Sequence, residues 1–214
     1  MLRTEISNLE LGLPYVEYIP ENFKKGMPLI VFLHGWGERD NGEGLAIADR
    51  HGFNKIFDKI NCEFVYLVPQ IPVSTFWGAK QETLISFIKN AIKKYDINEN
   101  KVYLTGVSMG GCATWHTAFS APELFAAIVP MCGIGYAWLA NTLNMPIWVF
   151  HGEKDGAISV KNSDEMVEAL RYYGKDVTYT RYENVGHNCW DLACNENTLS
   201  WILSKQKSTN SAIK

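Results

Sequence analysis

Much is missing from this sequence of 214 residues, and each absence narrows its chemistry. No apolar run approaches the roughly 20 residues needed to span a bilayer, so no membrane span is expected. No basic run stands out and the formal net charge is −3, so nucleic acid is not an expected partner. The cysteines are only five, Cys62, Cys112, Cys132, Cys189 and Cys194. Their odd number and irregular spacing do not form a disulfide framework, and no C-x-x-C pair suggests zinc. Cys189 and Cys194 could bridge, but reduced thiols are the default expectation. The first residues lack the apolar core of a signal peptide, so a cytoplasmic location is expected. There is no repeat, no low-complexity segment and no sign of a second domain.

What remains is 47% apolar, enough for one substantial core. A single domain over residues 1–204 and a polar, frayed tail over 205–214 are expected. Leu29 to Leu33 and Phe64 to Val68 are continuous apolar runs of the kind found in strands buried on both faces. Phe125 to Met131 and Pro146 to Phe150 also read as strands, and Val177 to Tyr182 as a half-exposed one. Leu11 to Pro20 reads as an edge strand or hairpin. Leu45 to Phe57 is expected to be helical. Leu84, Ile85, Ile88, Ile92 and Tyr95 fall at helical spacing, as do Met166, Val167, Leu170 and Tyr173. Tyr136 to Leu143 reads as a short helix or cap, and Leu192 to Leu203 as a final helix. Strands alternating with helices predict an α/β fold, a mainly parallel sheet with helices on both faces and no large lid.

Ligands of such sheets bind beyond the carboxyl ends of the strands. Four conspicuous loops directly follow strands: His34 to Asp40, Gln70 to Trp77, Gly106 to Gly110, and His151 to Gly156. The third is Gly106-Val107-Ser108-Met109-Gly110, a G-x-S-x-G pattern. A serine on a sharp strand-to-helix turn is held with its hydroxyl exposed above the sheet. Glycines and a serine also punctuate ordinary loops. Here a strand precedes them and a helix can run from Met109 to Phe119, stopped before Pro122.

A serine hydroxyl needs a base, and the base needs an orienting acid. Of five histidines, His187 lies in a loop between the last strand and the last helix, from which it can return to the serine. His34 and His151 sit in His-Gly turns, where a turn-stabilising role is expected. Asp155 follows a strand in the chain order serine, acid, histidine, with Glu153 and Asp191 as rivals. The backbone amides of Met109 and Trp36 are the expected donors to an oxyanion. Trp36, Trp77, Trp138 and Trp190 lie in or near these loops and suit an aromatic acyl group or a sugar ring. Arg39 and Gln70 are further candidate polar contacts.

With these residues in hand, the chain resembles the α/β-hydrolases, and within them the small phospholipase/carboxylesterase and feruloyl-esterase-like branch. The likeness rests on Pro28 to Arg39, Gly106 to Gly111, His151 to Asp155 and Gly186 to Asp191, in that order. It implies nucleophile Ser108, acid Asp155, base His187 and oxyanion amides at Trp36 and Met109. Asp40 departs from the glycine that many relatives carry after Gly-Glu-Arg. Related dienelactone hydrolases use a cysteine nucleophile, and the serine here argues against that activity. The resemblance implies a serine carboxylic-ester hydrolase of small acyl or aromatic-acyl (acetyl, feruloyl) esters, needing neither metal nor organic cofactor. Its expected partner is a small-molecule ester, and monomer and homodimer stay open. Lysophospholipase or acyl-thioesterase, a small serine peptidase and a non-catalytic binding module are the alternatives.

Overall fold

A computed structural model describes residues 1–207. Its strands are β1 (Leu2–Ile6), β2 (Tyr15–Ile19), β3 (Leu29–Leu33), β4 (Val65–Pro69), β5 (Val102–Val107), β6 (Ala127–Met131), β7 (Ile147–Gly152) and β8 (Val177–Tyr182). They form one sheet in the order β1-β2-β4-β3-β5-β6-β7-β8. The β1–β2 and β2–β4 pairs are antiparallel, and all others are parallel. The helices are α1 (Gln81–Lys94), α2 (Met109–Ser120), α3 (Lys161–Tyr172), α4 (Trp190–Ala193) and α5 (Glu196–Leu203).

Every residue of β3 is buried, because the sheet is covered on both sides. Leu29, Val31 and Leu33 point into a core shared with α1, α2 and α3. Ile30 and Phe32 point the other way, into a core closed by Phe53, Phe57 and α5. This alternation is the period-two geometry of a strand applied twice.

The chain passes from β3 to β4 on one side of β3 and then crosses to β5 on the other. The strand order therefore reverses between β3 and β5, where crevices open in such sheets. The two strands are in register, Leu33 opposite Gly106, so their carboxyl ends finish level.

Several local expectations are corrected. Of the two readings of Leu11 to Pro20, the edge strand is overturned, since β2 lies inside the sheet, while the hairpin holds in part: β2 is one arm of an antiparallel hairpin with β1. Residues 45–57 form no α-helix. They make 3₁₀ turns at Gly44–Ile47 and Phe53–Lys59, parted by Gly52 at φ 111°. A Cβ on Gly52 would sit 2.5 Å from the Tyr66 hydroxyl, so the chain turns where a helix would continue. The final helix is two pieces, because the Asn195 side chain accepts from the Thr198 amide and starts α5 anew. The short helix expected over Tyr136 to Leu143 is present, as a 3₁₀ helix at Ala137–Thr142. The expected tail is anchored at its start: Tyr103 Oη donates to the Lys205 carbonyl and the Lys207 amide to Asn100 O. Its remainder, 208–214, lies outside the described residues. All five cysteines are free, so Cys189 and Cys194 do not bridge. No helix among the described residues is long and apolar enough to cross a membrane.

The β5–α2 turn packs backbone against backbone. A Cβ on Gly106 would lie 2.5 Å from Gly110 O and 2.8 Å from Leu33 O, and one on Gly110 would strike the Leu33 carbonyl. Backbone atoms cannot swing aside as side chains do. Gly106→Ala and Gly110→Ala are therefore expected to cost about 3 kcal/mol each, read as lowered urea midpoints. Midpoints at the wild-type value would contradict this packing.

Candidate active site

Ser108 stands between β5 and α2 at φ 56° and ψ −117°, a conformation that ordinary side chains rarely adopt. The turn holds its hydroxyl at the carboxyl edge of the sheet. Its Oγ is 2.7 Å from His187 Nε2, and His187 Nδ1 is 2.7 Å from Asp155 Oδ2. The carboxylate can only accept, so Nδ1 carries hydrogen and Nε2 accepts from the serine. His187 comes from the loop after β8, and Asp155 from the loop after β7.

Asp155 is fully covered, yet well supplied with donors. Its Oδ1 accepts from the amides of Ala157 and Ile158, each at 2.8 Å. Its Oδ2 accepts from His187 and, at 3.1 Å, from His151 Nε2. Burial opposes the charge, but the His187 hydrogen bond and the two amides outweigh it and hold the carboxyl below its ordinary range. The rival acids are engaged elsewhere. Glu153 pairs with Arg181 at 3.6 Å, and Asp191 with Lys55 at 3.6 Å.

His151 does more than hold a turn. It is buried, accepts from Ser163 Oγ at Nδ1, and shares its Nε2–H between Ile158 O and Asp155. Its adjacency to the acid is visible only in three dimensions. The one sequence hint is the i, i+4 spacing of His151 and Asp155. His34 is also buried, with Nδ1–H donating to Gly35 O and Nε2 accepting from the Ile71 amide. Both imidazoles are pushed towards neutrality by burial, His34 to about 4.

The loop after β3 lies against the serine. A Cβ on Gly35 would be 3.7 Å from Ser108 Cβ. Trp36 begins a 3₁₀ turn (Trp36–Glu38) and Met109 begins α2, so neither amide has a helical acceptor. A cavity of about 170 Å³ opens here between Trp36, Glu38, His51, Ser108, His187 and Trp190. Glu38 and His51 were absent from the sequence-predicted site. Glu38 is buried with Oε1 3.4 Å from His51 Nε2. Trp190 stands edge-on to His187, with ring centres 5.3 Å apart.

Three expected ligand contacts are corrected. Trp77 is 2% exposed, and its indole N–H donates to His34 O. Gln70 is buried and donates to the carbonyls of Glu38 and Gly44. Arg39 is buried too, donating to the carbonyls of Trp36, Val73 and Thr75. Its guanidinium lies 3.5 Å over the Trp36 ring. All three side chains hold the loops rather than face outward. Trp138 is surface-exposed but does not line the cavity beside Ser108. Among the described residues, Cys132, Asp155 and His187 form one group whose ligand atoms are close enough to hold a metal ion. The last two are already bonded to each other, and burial pushes the Cys132 thiol up, away from the thiolate a metal needs.

The pattern of the dienelactone hydrolase family matches residues 73–197. The chain is 31% identical over 135 residues to feruloyl esterase B of Neurospora crassa, covering 58% of this chain and 45% of that protein. It is 30% identical over 141 residues to a probable acetylxylan esterase A of Aspergillus clavatus, covering 61% and 45%. A bifunctional acetylxylan esterase/xylanase of Neocallimastix patriciarum is 26% identical over 163 residues, covering 72% and 23%. The chain thus spans less than half the length of these curated relatives. Among solved structures, a thermostable esterase superposes with a TM-score of 0.81 at 30% identity, covering 96% of this chain and 63% of that one. Est1E from Butyrivibrio proteoclasticus, at 14% identity and a TM-score of 0.68, shares the fold.

The neutral buried imidazoles set a pH dependence. His34 has an ordinary value of 6.5 when unfolded and about 4 when folded. Between these values the unfolded chain binds the proton and the folded chain does not, so stability falls as pH falls. His151 shifts the same way. The depressed Asp155 adds a loss at lower pH still, as its carboxylate protonates. Tm is expected to drop steadily from pH 6.5 to pH 4, His34 contributing up to about 3 kcal/mol. His34→Gln should flatten that slope, and an unaltered slope in the variant would contradict the assignment.

Proposed function

The chain belongs to the dienelactone hydrolase family, and from that premise we propose that it is a serine esterase acting through an acyl-enzyme. The observation that carries this is the continuous hydrogen-bond chain from Ser108 through His187 to Asp155 at the β3–β5 crevice. Ser108 Oγ attacks the ester carbonyl as His187 Nε2 takes its proton. Asp155 stabilises the imidazolium and keeps Nδ1–H directed at itself. The negative oxygen of the tetrahedral intermediate accepts from the amides of Met109 and Trp36, each such donor being worth about 3–4 kcal/mol of barrier. Collapse expels the alcohol, protonated by His187. Water, activated by the same imidazole, then releases the acid.

We assign carbohydrate esters with short acyl groups as the substrate class. The names of the relatives, acetylxylan and feruloyl esterase, support a carbohydrate ester. The cavity beside Ser108, about 170 Å³, supports the short acyl group.

Ser108→Ala is expected to lower kcat/KM on acetyl esters by at least about 10⁴-fold. A fluorophosphonate should add once to the wild type and not to the variant, read by intact mass. Retained turnover in the variant would remove Ser108 from the mechanism. Acetyl esters should exceed feruloyl esters in kcat/KM by about tenfold or more, a difference of about 1.4 kcal/mol in the barrier. The reverse order would refute the short-acyl assignment.

A further inference from the structure

The hydrogen-bond chain that starts at Ser108 does not stop at Asp155. Asp155 Oδ2, the oxygen that accepts from His187 Nδ1 at 2.7 Å, also lies 3.1 Å from His151 Nε2. His151 Nδ1 lies in turn 2.7 Å from Ser163 Oγ. His151 stands near the end of β7 and Ser163 in the first turn of α3. Both residues and the Asp155 side chain are closed to solvent.

The direction of each hydrogen in this chain is fixed. His151 Nε2 faces two groups that can only accept, the Asp155 carboxylate and, at 3.0 Å, the Ile158 carbonyl. Nε2 therefore carries the hydrogen. Burial keeps the ring neutral, so Nδ1 accepts and the Ser163 hydroxyl donates. That donation draws density from the ring and makes the Nε2–H a stronger donor, as hydrogen bonds in series do. A histidine that only closed a turn would be satisfied by Ile158 O. His151 instead divides its one hydrogen between that carbonyl and the oxygen that meets His187.

Other charges near the pair are neutral or engaged elsewhere. Cys132, after β6, has its sulfur within 4.8 Å of the nearest polar atoms of Asp155 and His187, but burial holds it as an uncharged thiol beside buried Cys189. Glu153 and Lys154 are exposed, and Glu153 pairs with Arg181 of β8. Asp164 of α3 accepts from Tyr179 Oη. Asp191 pairs with Lys55, and Glu38 with His51 across the cavity.

We propose that His151, anchored by Ser163, is a positioning residue for the ester hydrolysis: it holds Asp155 Oδ2 on the line to His187 and takes up part of the negative charge this oxygen presents. Asp155 then stabilises the imidazolium formed when Ser108 loses its proton without holding it so tightly that the leaving alcohol goes unprotonated. This role rests on the serine-esterase reading, but the hydrogen-bond chain itself does not.

The test compares the full wild-type chain with His151→Leu, His151→Gln and Ser163→Ala, reading kcat/KM on a small aryl acetate against pH. The acid limb reports the proton held by His187 and Asp155 as a pair. Without the His151 N–H, Oδ2 is more negative and the pair keeps its proton to higher pH. His151→Leu is expected to raise the midpoint of the acid limb by about 0.5–1 unit, which lowers kcat/KM on that limb about threefold to tenfold. His151→Gln, whose amide offers an N–H in place of Nε2–H, should bring the midpoint back towards wild type. Ser163→Ala should raise it by less, in the same direction. Proton NMR supplies a second reading. The downfield His187 Nδ1–H signal, identified by its loss in Asp155→Asn, should move further downfield as its acceptor gains charge. A midpoint and a signal left at their wild-type positions in His151→Leu and Ser163→Ala, or in Ser163→Ala alone should His151→Leu not fold, would overturn the proposal. So would variants that lose only Tm. If wild type hydrolysed no ester while the signal moved as expected, the esterase reading would fail and His151 would stand as the group that orders Asp155.

Discussion

The close approach of the β5–α2 turn to the end of β3 is the constraint on which the rest depends. Gly106 and Gly110 let two backbones meet at distances that a single methyl group would forbid. That contact sets Ser108 in its left-handed conformation and brings Gly35 alongside it. It also brings the segment that begins the Trp36 turn close to the start of α2 at Met109. The placing of the Ser108 hydroxyl at the sheet edge is thus a consequence of backbone packing, not of side-chain chemistry. The strain at Ser108 persists because the sheet on one side and α2 on the other leave it no alternative.

Around that point, charge is handled by burial. Asp155 is the one acid enclosed beside His187, and four hydrogen bonds keep it ionised where burial would neutralise it. His34 and His151 are enclosed as neutral groups and act as hydrogen-bond brackets, tying one loop to the next. Three imidazoles of the same chemistry therefore take different parts. His187, 27% exposed and facing the serine, is the one with access to a reacting molecule.

The loops at the sheet edge divide their labour in a similar way. Arg39, Gln70 and Trp77 spend their polar atoms on main-chain carbonyls and fix the walls. Trp36 and Trp190 are left to line the cavity by the serine. Trp138 and Tyr136 are left to the surface beyond it. A strand-end loop rich in aromatic and polar residues reads the same in sequence whether those residues turn in or out. That is why three of the six expected side-chain contacts, Arg39, Gln70 and Trp77, are scaffold instead.

The sequence by itself determined the strand runs, the G-x-S-x-G turn, the order of serine, acid and histidine, and the strand-end position of the chemical loops. These depend on neighbours a few residues apart, where apolar runs, glycine and chain order carry the physics. Tertiary structure alone decided which acid meets His187, that β2 is covered by β1, that residues 44–59 turn rather than wind into an α-helix, and that Glu38, His51 and His151 join the site. Each of those depends on what occupies the space across the sheet or the crevice. A side chain's direction is settled by contacts between residues tens of positions apart, as in the pair Ser108 and His187, and no local pattern records them.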